Sequence, residues 1–405
     1  MTEAPVRPLS AVAEVTLGRQ RSPENHQGPS MVPYLRAANV TDGRLDLSDV
    51  QEMNFSPDEQ RIFELRDGDV LITEGSGSLT AVGASAVWRS EIGGRVCFQN
   101  TLLRVRPRTQ RTDPRFLAWW CRHAFTSGLF ASIATGANIH HLSAERMRAL
   151  PVCAPALQEQ ERIADFLDVE TPRIDALIEK KRLLLALLEE RMNLAVRHIL
   201  GSLGAPSVPL KRFWTVIDCK HRTPTYLDSG FPVVSPGDAT PGRLDLGRCT
   251  RFIGEEDFAD LAGGQRRPRR GDIVYSRNAS VGIACYVDSG APFSMGQDVC
   301  LIRSATEDQL FLTYVLNSLG ADQLELAKIG STFSRVNVAQ VLEIQVPRPS
   351  PAVQVAVAGE LDRQFARHAS VRELLLRQIA LLHEHRQALI TAAVTGELSI
   401  ERLAA

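Results

Sequence analysis

Gly43-Arg44-Leu45-Asp46-Leu47 recurs, residue for residue, as Gly242-Arg243-Leu244-Asp245-Leu246. Four weaker matches follow in the same order, at offsets that fall from about 203 to about 194 residues. They pair Arg66-Asp67-Gly68-Asp69-Val70 with Arg269-Arg270-Gly271-Asp272-Ile273, Phe116-Leu117 with Phe311-Leu312, Ala164-Asp165-Phe166-Leu167-Asp168 with Ala358-Gly359-Glu360-Leu361-Asp362, and Leu187-Leu188-Glu189-Glu190 with Leu381-Leu382-His383-Glu384. Collinear matches indicate a tandem duplication. The alternative is two unrelated domains with accidental echoes.

Each copy divides into two parts. The first part is rich in Gly, Pro and short β-branched runs such as residues 69–73 and 272–276, with a turn signal at Asp42-Gly43. This pattern predicts an α+β module with a mostly antiparallel sheet. The second part is helical. We predict modules at residues 1–150 and 205–346, and helical regions at residues 151–204 and 347–405.

A heptad pattern in the first helical region predicts a long helix. Thr171 is the predicted N-cap, Pro172 the first helical residue and Gly201 the stop. The predicted apolar seam contains Ile174, Ile178, Lys181, Leu185, Leu188, Met192, Ala195 and Ile199, at alternating spacings of four and three.

The second helical region carries a similar seam. Ser370 and Glu373 predict a capping box at its start. The seam continues through Val371, Leu375, Gln378, Leu382, His385 and Leu389 towards Gly396. Because each seam needs a partner, we predict that the two helices pair as an antiparallel coiled coil and give the chain a pseudo-twofold repeat. A helix of about 26 residues spans roughly 40 Å, close to one turn of B-DNA at about 34 Å. A bundle without a spacing role is the alternative.

Composition indicates a soluble globular protein of several units. The chain has 405 residues, of which 44% are hydrophobic and 23% charged. No secretory signal or membrane-length apolar stretch is visible. Seven scattered cysteines without Cys-x-x-Cys spacing favour a reducing cytoplasm over a disulfide framework. A net charge of −1 does not indicate a nucleic-acid binder, so any DNA contact must come from local basic patches.

Motifs for catalysis are missing from the sequence. It has neither the Asn-Pro-Pro-aromatic signature of an amino-methyltransferase nor the Gly-Lys-Ser/Thr of a phosphate-binding loop. The adjacent His140 and His141 point apart on either a helix or a strand, which makes them poor co-ligands of one metal. We therefore predict no catalytic residue, no metal site and no cofactor bound by this chain.

One boundary segment resembles a known family. Pro155-Ala156-Leu157-Gln158-Glu159-Gln160-Glu161-Arg162-Ile163-Ala164-Asp165-Phe166-Leu167-Asp168 is similar to the Glu-Gln-x-x-Ile-Ala helix of type I restriction-modification specificity subunits. The stretch Ile390-Thr391-Ala392-Ala393-Val394-Thr395-Gly396-Glu397 is similar to the end of that family's second helix. Ser350-Pro351-Ala352-Val353-Gln354 departs from the pattern, because the acidic residue of the Glu-Gln pair is missing.

The resemblance implies a function in recognition, without a catalytic role. Each module would be a target recognition domain that reads one half of a split sequence in double-stranded DNA. The helices would space the halves and dock two methyltransferase subunits, which in turn join restriction and translocase subunits. S-adenosylmethionine, ATP and magnesium would belong to those partners. The spacer and docking positions would include Gln160, Ile163, Phe166, Leu167, Ile174, Ile178, Leu185, Leu188, Leu375, Leu382 and Leu389. The alternative is a protein-binding scaffold made of duplicated modules.

Base reading needs forked donors and amides, and phosphate contact needs Arg, Lys and backbone amides. Three loop positions supply such groups in both copies: residues 74–78 with 276–280, 98–100 with 296–298, and 135–140 with 330–337. The basic run at 265–270 adds phosphate contacts. Candidate DNA-binding residues are Arg36, Asn39, Ser76, Ser78, Gln99, Asn100, Asn138, His140, Arg266, Arg267, Arg269, Arg270, Arg277, Asn278, Gln297, Ser331, Arg335 and Asn337. A turn or capping role is the alternative for the loop residues, and a short basic surface loop is the alternative for the basic run.

Overall fold

The computed structural model describes residues 4–328 and 335–398. The chain forms two compact units: unit 1 contains Met1–Lys181 and Arg377–Ala405, and unit 2 contains Arg182–Leu376. Each unit therefore combines one sequence copy with a stretch from the other copy's helix. The domain boundaries at 150, 204 and 346 follow the order of the sequence and stay a prediction.

The strands and helices of the first copy alternate in sequence. Its strands are β1 Val6–Pro8, β2 Ala13–Leu17, β3 Met31–Leu35, β4 Val40–Thr41, β5 Arg44–Leu45, β6 Gln51–Asn54, β7 Val70–Thr73, β8 Gly75–Ser76, β9 Ser85–Val87, β10 Cys97–Phe98, β11 Leu102–Pro107, β12 His140–His141 and β13 Pro151–Cys153. Its helices are α1 Leu9–Val12, α2 Pro57–Phe63, α3 Pro114–Thr126, α4 Leu129–Ile133, α5 Ala144–Arg148 and α6 Leu157–Gly201.

The second copy has a similar order with fewer strands among its described residues. Its strands are β14 Ser207–Pro209, β15 Thr215–Asp218, β16 Phe231–Val234, β17 Gly242–Arg243, β18 Phe252–Ile253, β19 Ile273–Ser276, β20 Ala284–Tyr286, β21 Ser294–Met295, β22 Val299–Arg303 and β23 Gln345–Pro347. Its helices are α7 Glu255–Leu261, α8 Gln309–Val315, α9 Ala321–Lys328, α10 Val338–Leu342 and α11 Pro351–Thr395.

The sheets confirm both the α+β class and the duplication. In unit 1 the largest sheet has the order β2-β11-β7-β9 and is antiparallel throughout. In unit 2 the equivalent order is β15-β22-β19-β20, with β17 added in parallel at the edge. A three-stranded sheet, β10-β3-β6, matches β21-β16-β18, and in each one link is parallel and the other antiparallel.

The repeated Arg-x-Gly-Asp sequence is a turn that leads into the central strand of each large sheet. Gly68 and Gly271 adopt φ of 83° and 91°, a region that glycine enters without steric cost. The aspartate that follows is buried, and both of its carboxylate oxygens accept from one arginine on the neighbouring strand of the sheet. In unit 1 Asp69 pairs with Arg106 at 2.7 Å, and in unit 2 Asp272 pairs with Arg303 at 2.6 Å. Removing either partner would leave a buried charge, which explains the matched residues.

The antiparallel pairing of the long helices is confirmed in unit 1, and the two helices also contact each other in unit 2. In unit 1 Asp175 pairs with Arg386 at 2.8 Å, and Lys181 donates to Gln378 over 2.6 Å, so positions rise on α6 as they fall on α11. In unit 2 Glu189 contacts Arg372 at 3.4 Å. All predicted seam positions on α6 are buried or half-buried. On α11, Val371 and His385 are exposed, so their assignment to the seam was wrong.

The predicted helix starts were also wrong. Helix α6 begins at Leu157, and Pro172 lies inside it rather than at its first turn. Helix α11 begins at Pro351, and Ser370 donates to the Ala366 carbonyl one turn earlier instead of capping. Proline in a helix interior removes one backbone hydrogen bond. Burial of Ile163, Leu167 and Ile174 on both sides of Pro172 offsets that loss.

Each unit has its own apolar core that includes both long helices. In unit 1, Ile163 and Leu167 of α6 pack with Ile390 and Val394 of α11. In unit 2, Met192 and Val196 of α6 share a core with Leu361 of α11. All seven cysteines are free thiols. In the part of the chain that the structure describes, no helix has both the length and the apolar character needed to cross a bilayer.

Candidate nucleic-acid interface

Three predicted loops of unit 1 meet at one end of its largest sheet. The backbone N–H of Glu74 donates to the Thr101 carbonyl over 2.9 Å, and the Glu74 carbonyl accepts from Leu142 N–H over 2.7 Å. Strand β8 pairs with β12, which sets Ser76 opposite His140. The structure therefore brings residues 74–78, 98–100 and 135–140 together, as a single reading surface would require. We call this surface face 1.

The side chains of face 1 are mostly accessible. Ser78 and Asn138 are exposed, while Ser76, Gln99, Asn100 and His140 are half-buried. His141 Nδ1 lies 3.1 Å from the Glu74 carboxylate, a polar pair that the candidate residues did not include. Hydroxyl, amide, imidazole and carboxylate groups thus share one surface, and these groups can contact base edges.

Two further candidates in unit 1 have structural partners. Asn39 is buried, and its amide donates to the carbonyls of Asp46 and Asp49 while its oxygen accepts from Arg36 N–H over 3.0 Å. The geometry therefore assigns Asn39 to holding a turn, and DNA contact by its side chain is not supported. Arg36 is half-buried and forms an ion pair with Asp49.

Unit 2 gathers the equivalent loops into a second surface, face 2. Arg277 N–H donates to the Asp298 carbonyl over 2.8 Å, and Val336 N–H donates to the Arg277 carbonyl over 2.8 Å. Asn278 and Arg335 form an isolated antiparallel bridge. These bonds join residues 276–280, 296–298 and 335–337. Ser331 lies outside the described residues.

The side chains of face 2 form a more ionic set than those of face 1. Asp298 accepts from Arg335 over 2.7 Å and from Asn278 over 3.0 Å. Gln297 is exposed and donates to the Thr223 hydroxyl over 2.9 Å. Asn337 is exposed as well, but it is the N-cap of α10 and accepts from Gln340 N–H, so the capping alternative applies to it.

Arg277 departs from its predicted role. Only 2% of the residue is exposed, and its guanidinium pairs with Asp218 at 2.5 Å. A buried, paired guanidinium cannot reach a base edge in this conformation, so direct DNA contact by Arg277 is not supported. It instead joins the end of β15 to the end of β19.

The basic run follows the β15 side of unit 2. Arg266, Arg267, Arg269 and Arg270 are all exposed. Arg266 Nε donates to the Asp218 carbonyl over 3.2 Å, which connects the run to the segment that leads into face 2. Arg266 lies beside the segment that leads into face 2, and an exposed guanidinium there is placed to contact phosphate.

The candidate residues did not include one segment of each unit. This segment follows the first strand of the large sheet. In unit 1 the segment contains Arg19, whose backbone carbonyl accepts a hydrogen bond from Asn100 N–H over 2.9 Å. In unit 2 the segment contains Lys220, His221 and Arg222. Hydrogen bonds from Lys220 and Arg222 lower the pKa of Asp260, so that carboxyl group is ionised and holds the segment in place. Three consecutive basic residues were the available signal.

One group of potential metal ligands lies in the same segment. Atoms of Asp218, Cys219 and His221 lie within 4.8 Å of one another. Arg277 already bonds Asp218 there, and its positive charge opposes a second cation. Burial raises the pKa of the Cys219 thiol, which disfavours the thiolate that a metal needs. The expectation that this chain binds no metal stays a prediction.

The docking and spacer positions mostly pack inside the chain. Ile163, Leu167, Ile174, Ile178 and Leu375 are buried. Phe166, Leu185, Leu188, Leu382 and Leu389 are half-buried. Several leucines elsewhere on the two helices are exposed: Leu177, Leu183, Leu184, Leu187, Leu194, Leu374, Leu376 and Leu381.

Comparison with known proteins identifies the family. The model of the type I restriction modification DNA specificity domain matches residues 2–185 and 219–372. The specificity subunit of the type I restriction enzyme EcoKI of Escherichia coli strain K12 is 24% identical over 98% of this chain and 89% of that subunit. The StySPI specificity subunit of Salmonella potsdam is 25% identical, but that match covers 43% of this chain and spans 36% of that relative's length.

Solved structures agree with the fold. A chain from work on complex assembly and conformational transition of the type I R-M system superposes with a TM-score of 0.77 at 19% identity, over 97% of this chain and 98% of that one. The HsdS subunit of Thermoanaerobacter tengcongensis gives a TM-score of 0.60 at 17% identity, over 98% of both chains. The family match covers both copies of the internal repeat, and the chain belongs to the type I restriction-modification DNA specificity family.

Proposed function

We propose that this chain selects a bipartite sequence in double-stranded DNA, with face 1 and face 2 each reading one half. The observation that carries the proposal is the convergence of three loops in each unit on one surface. The two surfaces carry different polar pairs. Face 1 pairs Glu74 with His141, whereas face 2 pairs Asp298 with Arg335. Different donors and acceptors favour different base pairs.

The chain would supply recognition to partners that perform the chemistry. We propose that two methyltransferase subunits dock on its long helices and that restriction subunits join through them, in the cytoplasm. S-adenosylmethionine, ATP and magnesium would bind to those partners. The exposed leucines of α6 and α11 support docking there, because apolar side chains in water gain from being covered. The names of the similar specificity subunits also support it.

Selection of bound DNA from a randomised library tests whether the chain reads sequence. The chain is purified with its methyltransferase and offered a library of randomised duplexes, and the bound fraction is sequenced. We expect two clusters of preferred bases separated by a fixed number of positions without preference. Retention of every duplex alike would contradict sequence reading, and retention of none would favour the protein-binding scaffold.

A further inference from the structure

Asp298 has an unusual backbone in the middle of face 2. Its φ is 65°, in the left-handed region that residues other than glycine rarely adopt. Among the described residues, four non-glycines have positive φ, and Asp298 and Ala279 of face 2 are two of them. Such a conformation costs free energy and persists where surrounding contacts require it.

The contacts that hold Asp298 join two loops of face 2. One carboxylate oxygen contacts the Arg335 guanidinium at 2.7 Å, and the other accepts from the Asn278 side-chain amide over 3.0 Å. The backbone carbonyl of Asp298 accepts from Arg277 N–H. The two acceptors of one carboxylate therefore fix two side chains that come from different loops.

Arg335 and Asn278 keep donors and acceptors available after these bonds form. Arg335 is half exposed, with 49% of its side chain accessible. A guanidinium has five N–H donors, and the contact with Asp298 uses only part of that set. The Asn278 oxygen accepts from Ala279 N–H over 2.8 Å, which sets the orientation of the amide. Arginine in this state can donate to guanine, and asparagine can pair with the N6 and N7 edge of adenine.

Unit 1 has no equivalent arrangement among its described residues. Asn100 stands where the repeat has Asp298, and its neutral amide offers one oxygen in place of two. The carboxylate of face 1 belongs to Glu74, on a different loop, and it faces His141. The Asp298 arrangement is thus specific to the half-site that face 2 reads.

We infer that Asp298 is the positioning residue for specificity in unit 2. It holds Arg335 and Asn278 as a joint reader of a half-site that contains a guanine and an adenine in neighbouring base pairs. Pairing with Arg335 also neutralises a carboxylate that would otherwise repel DNA phosphate. The inference rests on the proposed function and names the bases that one of its two surfaces selects.

The test compares Asp298→Asn with the unchanged chain, each in complex with the methyltransferase, on the randomised duplex library. Asparagine tolerates positive φ, so the backbone is preserved. Its amide places an NH2 donor where one of the two carboxylate oxygens stood, so either Arg335 or Asn278 loses the acceptor that it has now. We expect preference for guanine and adenine in one half-site to fall by about 10-fold. The half-site of face 1 should stay unchanged, and affinity for unrelated duplex should not fall, because a negative charge was removed.

Two further variants keep the test decisive. Arg335→Lys retains the charge but loses the fork, and it should relax guanine preference alone. Asp322→Asn is the control, since Asp322 is a carboxylate of unit 2 paired with Arg197 at 2.6 Å, outside face 2. Equal base preferences for Asp298→Asn and the unchanged chain at both half-sites would overturn the inference. Absence of any preferred sequence with the unchanged chain would instead overturn the proposed function.

Discussion

The side-chain oxygen of Gln160 accepts a hydrogen bond from the backbone N–H of Asp113 over 3.0 Å. The Gln160 amide donates to the carbonyls of Arg111 and Pro155, and the residue is 1% exposed. Asp113 is the N-cap of α3, so Gln160 ties the start of α3 to the start of α6. In unit 2, Gln354 repeats the bond with Asp308, the N-cap of α8, over 3.0 Å. The Gln160 side chain is thus held inside unit 1, and its predicted docking role is not supported by this packing.

Replacing Gln160 with leucine should therefore destabilise unit 1. The substitution leaves one N–H and two carbonyls without their partner in a buried site, and we expect the free energy of unfolding to fall by about 3 kcal/mol. Thermal and urea unfolding measure the change, with Gln158→Leu as the control because Gln158 is exposed. Normal stability together with lost binding of the methyltransferase would restore the docking role.

The two glutamines illustrate what the sequence could predict. Its periodicity predicted the α+β class, the duplication and the α6 seam, because repeats and heptads are encoded along the chain. The partners of Gln160 and Gln354 could not be predicted, since they come from a helix start about 47 residues away. Thr171-Pro172 carried the local signals of a helix start, but burial on both sides of Pro172 outweighed them.

The candidate site shows the same division. Residue types located the loops that converge in each unit, because turns and polar groups are local features. The sequence did not predict which of the candidate side chains remain accessible. Asn39 and Arg277 have the chemistry to read bases, yet Asn39 is buried in a turn with Asp46 and Asp49, and Arg277 is buried against Asp218 on another strand.

Cysteine reactivity tests the packing of both units. Burial raises the pKa of Cys97 and Cys300 to about 12, and that of Cys249 and Cys285 to about 11. We expect a disulfide reagent at pH 8 to modify half-buried Cys153 first in the folded chain, and all seven thiols in denaturant. Since unfolded thiols ionise near pH 8.5, stability present below that pH should decline as pH rises towards 11. Rapid reaction of several folded thiols would contradict the packing.

Replacing exposed leucines with charged residues tests subunit docking. Leu183 and Leu187 are 61% and 51% exposed on α6. Replacing both with glutamate should leave unfolding unchanged but weaken binding of the methyltransferase by about 10-fold or more, measured by titration calorimetry. Ile62→Glu is the control, at a residue 54% exposed on α2. Unchanged affinity of the double variant would place docking elsewhere.

We expect the basic run at residues 265–270 to bind DNA through contacts with phosphate. Replacing Arg266, Arg267, Arg269 and Arg270 with glutamine should weaken all duplexes alike, and each lost contact should reduce the slope of log K against log salt by about 0.9. Affinity is measured over a range of salt concentrations. A variant lacking four exposed arginines of unit 1 is the control: Arg7, Arg44, Arg61 and Arg89. A slope equal to that of the unchanged chain would exclude phosphate contact by the run.

The most direct measurement is a methylation profile of a genome in cells that produce this chain with its methyltransferase, compared with cells that lack the chain. Two faces on duplicated units predict methylation at sites made of two short base clusters, with a constant stretch of unread positions between them. Methylation that does not depend on the chain, or that follows one uninterrupted cluster of bases, would contradict reading by two separate faces.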